Sequence, residues 1–315
     1  MKLWIPVFAL MGCGTTELSQ SFNLDRIRLL GVRGVVSGDP DPVLGGRAEP
    51  KPGETVTFTA LSYFPDGQAF GGALWFACVP EGELAYGCEV DDDALTAFDE
   101  LDESTSTEDY LAALQAARAA GVIGFQPLFE PTWTIPEDAL ASLTDAQRIE
   151  GTNAFINVSL FGTDGDTGAA ADDSAELGFK RMPISEATTP NHNPDIVDFS
   201  IDGELLNGAE GFSAVRGQTY TLDPVLADGH IETYSFVNRD GVTTYRSEDP
   251  YFQWYTEPGA EQSKQSASFD QPLSLAAYSS VEWTAPAQAG SVEVIVVVRD
   301  RRGGMGWRRL EVNVL

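Results

Sequence analysis

Histidine, cysteine and basic residues are all scarce in this chain. Its 315 residues include 2 histidines, 3 cysteines and 19 Lys or Arg against 48 Asp or Glu, so the formal net charge is −29. Such a surface would repel a polyanion almost everywhere, which excludes a general nucleic-acid binder. No apolar run approaches the roughly 18 residues that a membrane-spanning helix needs. Neither histidine lies beside a recognisable nucleophile motif such as Gly-x-Ser-x-Gly, which favours a function without catalysis.

Glycine, proline and apolar residues are plentiful by comparison. The 31 glycines and 18 prolines punctuate a chain that is 43% hydrophobic, a composition typical of a folded, turn-rich β protein. Short alternating segments over residues 54–61, 73–77 and 154–161 predict strands. Their spacing predicts two tandem β-sandwich domains, residues 24–185 and 196–315, joined by a linker over residues 186–195.

The alternating pattern is interrupted once, over about residues 91–130. An acidic run without a single base occupies residues 91–103, and residues 110–120 then form an alanine- and leucine-rich segment that ends at Gly121. This composition predicts a helix inside the first domain. We interpret residues 91–130 as a helical insertion whose acidic run is a solvated face.

Two parts of the sequence share a pattern of glycine, threonine and apolar residues. Residues 53–58 and residues 217–222 both read Gly, polar, Thr, apolar, Thr, apolar, and a tryptophan follows each, Trp75 and Trp254 respectively. The shared pattern indicates a weak internal repeat.

The C-terminal segment resembles a known class of module. A tryptophan strand at Trp283, a valine-rich strand over residues 290–300 and a last strand ending at residues 312–314 look like the second half of PKD-like and other immunoglobulin-like bacterial modules. Residues 53–60 with Trp75 look like the first half of another. The resemblance implies a mainly β chain made of two tandem Ig-like β-sandwich domains.

The N-terminus is similar to the leader of a bacterial lipoprotein. Lys2 precedes a short apolar stretch, and Leu10-Met11-Gly12-Cys13 resembles a lipobox. The resemblance implies a signal peptide over residues 1–13, acylation at Cys13 and a flexible tether over residues 14–23, with Gly14 directing the protein to the outer membrane. Several acyl chains together anchor a protein stably. The alternative is that residues 1–12 form a first strand of a cytoplasmic protein.

The two remaining cysteines are ten residues apart. Pro80, Gly82 and Gly87 lie between Cys78 and Cys88 and favour a hairpin that a disulfide could close. Such a bond requires the oxidising environment that an exported protein meets. Free buried thiols and a metal site are the alternatives.

Calcium is the cofactor that the sequence favours most, with no cofactor as the simpler expectation. Residues 164–168 read Asp-Gly-Asp-Thr-Gly, and two further aspartates follow shortly after them. Oxygen ligands on a flexible loop suit Ca²⁺, although Gly168 and Ala175 depart from the EF-hand pattern. The alternative is a solvated acidic loop. The candidate ligands are Asp164, Asp166, Asp172 and Asp173.

Five arginines crowd the C-terminal hairpin. They occupy eleven residues, although the chain has only 19 bases in all. The cluster could dock against the acidic insertion, bind an anionic glycan or lipid headgroup, or remain solvated. The candidates for an anionic-partner patch are Arg299, Arg301, Arg302, Arg308 and Arg309.

These features together predict a non-catalytic, lipid-anchored cell-envelope protein of the outer membrane. Its Ig-like domains would serve a structural or adhesive role, with a protein or glycan as partner on the periplasmic or the exterior face. The alternative is a carbohydrate-acting or other hydrolase of β-sandwich architecture, which could use a pair of the many carboxylates.

Overall fold

A computed structural model of the chain describes residues 23–38, 45–80, 107–209, 211–237, 242–257, 261–262 and 279–315. The side chains of residues 107–111, 170–174, 236–237 and 261–262 are not part of the description. Within it, no helix is both long and apolar enough to cross a membrane.

The first half of the chain forms a β-sandwich. One sheet has the strand order β1-β2-β5 and the other has the order β4-β3-β6-β7, with antiparallel pairing throughout. Alternating apolar residues from both sheets meet between them, and Phe58 stacks on Trp75 with ring centroids 6.4 Å apart. The strands are β1 (Arg28–Val36), β2 (Thr55–Tyr63), β3 (Gln68–Cys78), β4 (Val122–Gln126), β5 (Thr132–Thr134), β6 (Thr152–Asp164) and β7 (Ala170–Ile184).

The second half forms another β-sandwich. Its sheets have the orders β15-β16-β11-β8-β9 and β10-β18-β17-β14, and a separate hairpin, β12-β13, stands beside them. Trp254 and Trp283 are both buried in its core. The strands are β8 (Ile196–Ile201), β9 (Glu204–Leu205), β10 (Gly211–Ala214), β11 (Thr219–Leu226), β12 (Thr233–Val237), β13 (Thr243–Ser247), β14 (Tyr251–Thr256), β15 (Glu261–Gln262), β16 (Val281–Thr284), β17 (Gly290–Arg299) and β18 (Met305–Val314).

Both sandwiches share one connection pattern. In the first sandwich the chain forms β1 and β2 of one sheet, crosses to the other sheet for β3 and β4, returns for β5 and finishes with β6 and β7. The principal strands of the second sandwich alternate between its sheets in a similar order, β8 and β11, then β14, then β16, then β17 and β18, with the short strands β9, β10 and β15 added. This is the immunoglobulin-like arrangement. The prediction of a mainly β chain with two Ig-like sandwiches is therefore confirmed, whereas the boundaries predicted for independent domains stay a prediction.

The helical insertion ends earlier than the sequence indicated. Helix α1 (Thr107–Ala119) lies where a helix was predicted, and a second short helix, α2 (Asp145–Glu150), follows later in the same sandwich. The predicted range 91–130 was too long, because β4 pairs with β3 and belongs to the sheet. The acidic run at 91–103 lies outside the described residues.

The two sandwiches pack against each other through sheet faces. Leu30, Leu61 and Tyr63 on the outer face of β1 and β2 meet Ile295 and Val297 on the outer face of β17 in a third apolar cluster. Four sheets are thus stacked with three apolar layers between them. The remaining members of this cluster are Leu24, Tyr255 and Met305, with Trp307 packed beside them.

Candidate functional site: the joint between the sandwiches

Beside the apolar contact lies a polar one, which we call the joint. It combines Glu49, the segment 190–195, the residues Glu232 and Glu248 on either side of the β12-β13 hairpin, and the turn between β17 and β18. Asn191 and Asn193 have no exposed surface, and Glu49 is 7% exposed. The segment predicted as a linker therefore runs through the interior of the joint.

Arg302 lies at the centre of the joint. Its Nη1 donates to Glu232 at 3.0 Å and to Glu248 at 2.9 Å, and its Nη2 is 3.6 Å from a Glu49 oxygen. Its guanidinium also lies over the ring of Tyr234, 4.2 Å from the centroid. One cation of the second sandwich thus meets three carboxylates, one of which belongs to the first sandwich.

Asn193 joins the sandwiches through its side-chain amide. Its Nδ2 donates to the carbonyls of Gly34 at 2.8 Å and Gly46 at 3.1 Å, both in the first sandwich. Its Oδ1 accepts from the backbone N–H of Met305 at 3.0 Å, in the second sandwich. Because all of these groups are buried, each hydrogen bond replaces one that water would otherwise provide.

Asp300 stabilises the turn between β17 and β18. Its carboxylate accepts from the backbone N–H groups of Arg302 at 2.7 Å and Gly304 at 2.9 Å, and from Nδ2 of Asn191 at 2.8 Å. Burial raises the pKa of this carboxyl, against the effect of the hydrogen bonds. The hydrogen-bonding capacity of this carboxylate is thus used within the joint, where it holds the turn in place.

Three further titratable groups lie in the joint or next to it. Nδ1 of His192 is 2.7 Å from Glu232, and Nδ1 of His230 accepts from the backbone N–H of Asp195 at 2.7 Å. Burial lowers the pKa of His230. Burial also raises the pKa of the Glu248 carboxyl to about 7. The joint therefore contains a carboxyl group that titrates near neutral pH.

The cysteine predictions fall largely outside the described residues. Cys13 and Cys88 are not described, and Cys78 is the last residue of β3. Lipidation at Cys13 and the pairing of Cys78 with Cys88 both stay predictions.

The predicted calcium loop is a turn between β6 and β7. Asp164 accepts hydrogen bonds from the backbone N–H groups of Thr167 at 2.7 Å and Asp166 at 3.1 Å, and from the Thr167 hydroxyl at 2.8 Å. The bond from the Thr167 backbone is the main cause of a lowered Asp164 pKa. Among the described residues no group of three or more His, Cys, Asp or Glu could hold a metal. The side chains of Asp172 and Asp173 lie outside the description, so calcium binding stays untested.

The five predicted arginines lie in different environments and mostly meet groups of the chain itself. Arg299 and Arg302 are partly buried at the contact between the sandwiches, and Arg301 pairs with Asp249 at 3.2 Å. Arg308 and Arg309 lie on strand β18. Binding of an anionic partner there stays a prediction. The other contacts are Arg299 with Gln253 and the Leu30 carbonyl, Arg308 with the carbonyls of Ile196 and Val197, and Arg309 with Glu293 and the Ser62 carbonyl.

Sequence reasoning did not find the joint. It did not single out Glu49 or Glu248, because their partners are distant in sequence. One signal was present: residues 294–298 are apolar without interruption, a pattern typical of a strand that is buried on both faces. That run indicates that another part of the protein packs against the outer face of β17.

Comparisons with known proteins add little. No protein-family model and no curated protein matches the chain. Among solved structures, a nucleoside hydrolase-related hypothetical protein from Saccharophagus degradans is 19% identical with a TM-score of 0.23, over 42% of this chain and 28% of that one. The fibronectin(III)-like modules of Clostridium thermocellum CbhA are 8% identical with a TM-score of 0.21, over 89% of this chain and 93% of theirs. Murine CEACAM1b is 11% identical with a TM-score of 0.19, over 90% of this chain and 100% of that one. Scores this low do not bear on function, and the chain spans less than a third of the first of these proteins.

Proposed function

We propose that this chain is a non-catalytic, lipid-anchored protein of the cell envelope, in which two Ig-like sandwiches act as one rigid binding or structural unit. The buried joint is the observation that carries the proposal. Domains within a chain usually move relative to each other unless their interface is large and apolar. Here an apolar layer, a buried asparagine and an arginine with three carboxylates all hold the two sandwiches together. A rigid two-domain unit suits presentation of a fixed surface to a partner.

The anchor in this proposal is the acylated Cys13, followed by a polar tether that reaches the first described residue, Asn23. The location is the outer membrane, on its periplasmic or exterior face. The same location is oxidising and would allow Cys78 and Cys88 to pair.

Replacement of Cys13 by serine tests the anchor. The Cys13→Ser variant is expected to move from the membrane fraction to the soluble fraction, because serine cannot carry the thioether-linked lipid. Fractionation followed by mass spectrometry of the intact chain provides the measurement, and Ser19→Ala in the same segment is the matched control. A Cys13→Ser chain that stays in the membrane fraction, or a wild-type chain with Met1 intact and no acyl adduct, would contradict the proposal.

A further inference from the structure

A cleft opens where the first sandwich meets the turn between β17 and β18. It has a volume of about 490 Å³, within the range of about 300–1,000 Å³ that small-molecule sites occupy. Its walls come from the start of β1, from β7 and from residues 299–305. The cleft therefore exists only because the two sandwiches are joined.

The charged residues that line the cleft are basic, whereas the chain as a whole is acidic. Five of its lining residues are basic, and none of the described lining residues is acidic. The whole chain has 48 acidic and 19 basic residues, so an average surface of this protein would show the reverse balance. Concave, low-dielectric walls concentrate such a field and attract anions. The basic lining residues are Lys180, Arg181, Arg299, Arg301 and Arg302.

Lys180 is the buried cation of the cleft. The residue is 6% exposed, and among the described residues its ammonium donates one hydrogen bond, to the carbonyl of Gly303, although an ammonium has three N–H donors. Burial lowers its pKa to about 8, against the opposing effect of the Asp300 charge. Asp300 itself is occupied by backbone and amide donors. A bound anion would supply the acceptors that Lys180 lacks.

Arg301 is the cation at the rim of the cleft. Its side chain is 38% exposed, and its partner Asp249 is 56% exposed at 3.2 Å. An exposed ion pair contributes little free energy, so an acidic ligand could compete with Asp249 for this arginine. Arg299 and Arg302 are held by internal groups, and the three carboxylates around Arg302 more than balance its charge, so neither is assigned a direct contact with a ligand.

The remaining walls of the cleft are largely apolar. Leu29, Pro183 and Met305 line it, and Phe179 stands at its edge with 66% of its surface exposed. A single exposed phenylalanine is common on protein surfaces, and at this position it offers a ligand an apolar contact. The walls thus suit a molecule that has an apolar part as well as a charge.

We propose that this cleft binds a small organic anion with an acidic head and an apolar body, the head against Lys180 and Arg301 and the body against Phe179, Pro183 and Met305. This assignment rests on the proposed binding role of the chain, and it does not depend on the lipid anchor.

The test uses the full chain with Cys13→Ser and the fluorescent anion 1-anilinonaphthalene-8-sulfonate as probe. Titration at low ionic strength is expected to show one site whose affinity decreases with added salt. Arg301→Gln is expected to weaken binding by roughly fivefold or more, because a charge-assisted contact is lost. Arg309→Gln is the matched control, since Arg309 is 44% exposed and also paired with a carboxylate, Glu293. If the Arg301→Gln variant and the protein with Arg301 intact bind the probe with equal affinity, the assignment is overturned.

The uncharged analogue N-phenyl-1-naphthylamine separates anion binding from general apolar binding. It is expected to bind much more weakly than the sulfonate, and equal binding would overturn the role of the cations. Octanoate is expected to displace the probe at concentrations where inorganic phosphate does not. Equal displacement by phosphate would overturn the amphipathic character of the ligand.

The pH dependence of binding reports on Lys180. A bound anion raises the pKa of this ammonium, so affinity is expected to be full below pH 8 and to fall as the pH rises above it. The charged groups that face Lys180 are Asp300 and Arg299. Lys180→Met is expected to remove the pH dependence and to lower the affinity, while an affinity that is constant from pH 7 to pH 9 in the wild type would overturn the contact. Because membrane fractionation of Cys13→Ser is a separate measurement, failure of the titration and failure of the anchor are distinguishable.

Discussion

At the scale of the residue, the joint concentrates charge around one guanidinium. Arg302 meets Glu49, Glu232 and Glu248, and no other cation forms an ion pair with these carboxylates in the described part of the chain, apart from His192 when it is protonated. Three carboxylates exceed the charge of a single arginine, and Glu248 is the least solvated of the three. Burial is the main cause of its raised pKa, and the nearby charges of Asp300 and Glu232 add to the effect.

We expect Glu248→Gln to stabilise the protein at alkaline pH. The folded-state pKa of about 7 exceeds the ordinary value of 4.5, so the folded protein binds the extra proton and loses stability as the pH rises from about 4.5 to 7. The glutamine removes that loss. Melting temperature is expected to rise by about 2–4 °C at pH 8 and to match the wild type near pH 4.5.

Thermal melts across this pH range provide the measurement. Glu293→Gln is a suitable control because this carboxylate pairs with the exposed Arg309. A Glu248→Gln variant that is less stable than the wild type at pH 8 would show that the contact with Arg302 outweighs the cost of burial.

Individual residues show where the sequence was informative and where it was not. The sequence placed Arg302 in a basic turn but could not reveal Glu49, about 250 positions earlier, as a partner. Gly31 is similar: a Cβ there would lie 2.6 Å from Sδ of Met305, so a larger residue would force the Met305 side chain to shift. A single glycine in a strand pattern carries no information about which distant side chain lies above it.

At the scale of the element, the internal repeat is a structural one. Gly53 donates to the carbonyl of Ile135 at 3.0 Å, and Gly217 donates to that of Ala285 at 3.1 Å. Both glycines have positive φ, 82° and 68°, and both precede the second core strand of their sandwich. The hydroxyl pairs Thr55–Thr134 and Thr219–Thr284 also correspond, at 2.9 and 2.8 Å.

The repeat shows which parts of the fold could be predicted from the sequence and which could not. Glycine, alternating threonine and a tryptophan are local features, so a strand at each of these places followed from the sequence. The pairing of Trp133 and Trp283 with these strands did not, because it depends on contacts across about 80 and 60 residues. For the same reason β4 was assigned to an insertion rather than to the sheet.

Strand β17 offers the sharpest test at this scale. Ile295 lies on its outer face and has no exposed surface, because the first sandwich covers it. Ile295→Ala is expected to lower the free energy of unfolding by about 2–5 kcal/mol, as a core truncation would. Urea denaturation provides the measurement.

Leu177→Ala is the matched control for this truncation. Leu177 is 77% exposed, so its loss is expected to change the free energy of unfolding by less than about 0.5 kcal/mol. Similar small effects for both variants would show that Ile295 faces solvent and that the sandwiches do not pack together.

At the scale of the whole molecule, the stacked sheets predict that the two halves remain associated without a covalent connection. A protease recognition sequence inserted between Thr188 and Thr189, both exposed, allows the chain to be cut. The fragments are expected to elute together in size-exclusion chromatography, because the apolar layer and the contacts of Arg302 and Asn193 persist. Ile295→Asp in the same background should separate them. Separate elution of the unsubstituted fragments would mean that the covalent connection alone holds the halves together.

The path of the chain before its first strand has a mechanical consequence. Asn23 forms a bridge with Thr256, and the N–H of Leu24 donates to the Thr256 carbonyl at 2.9 Å, so the chain touches β14 before it enters β1. Cys13 and Asn23 are ten positions apart, and the chain between them spans at most about 33–36 Å. A lipid at Cys13 would therefore be attached close to the contact between the two sandwiches. Any force on the lipid would act on both sandwiches directly, rather than pass from one to the other.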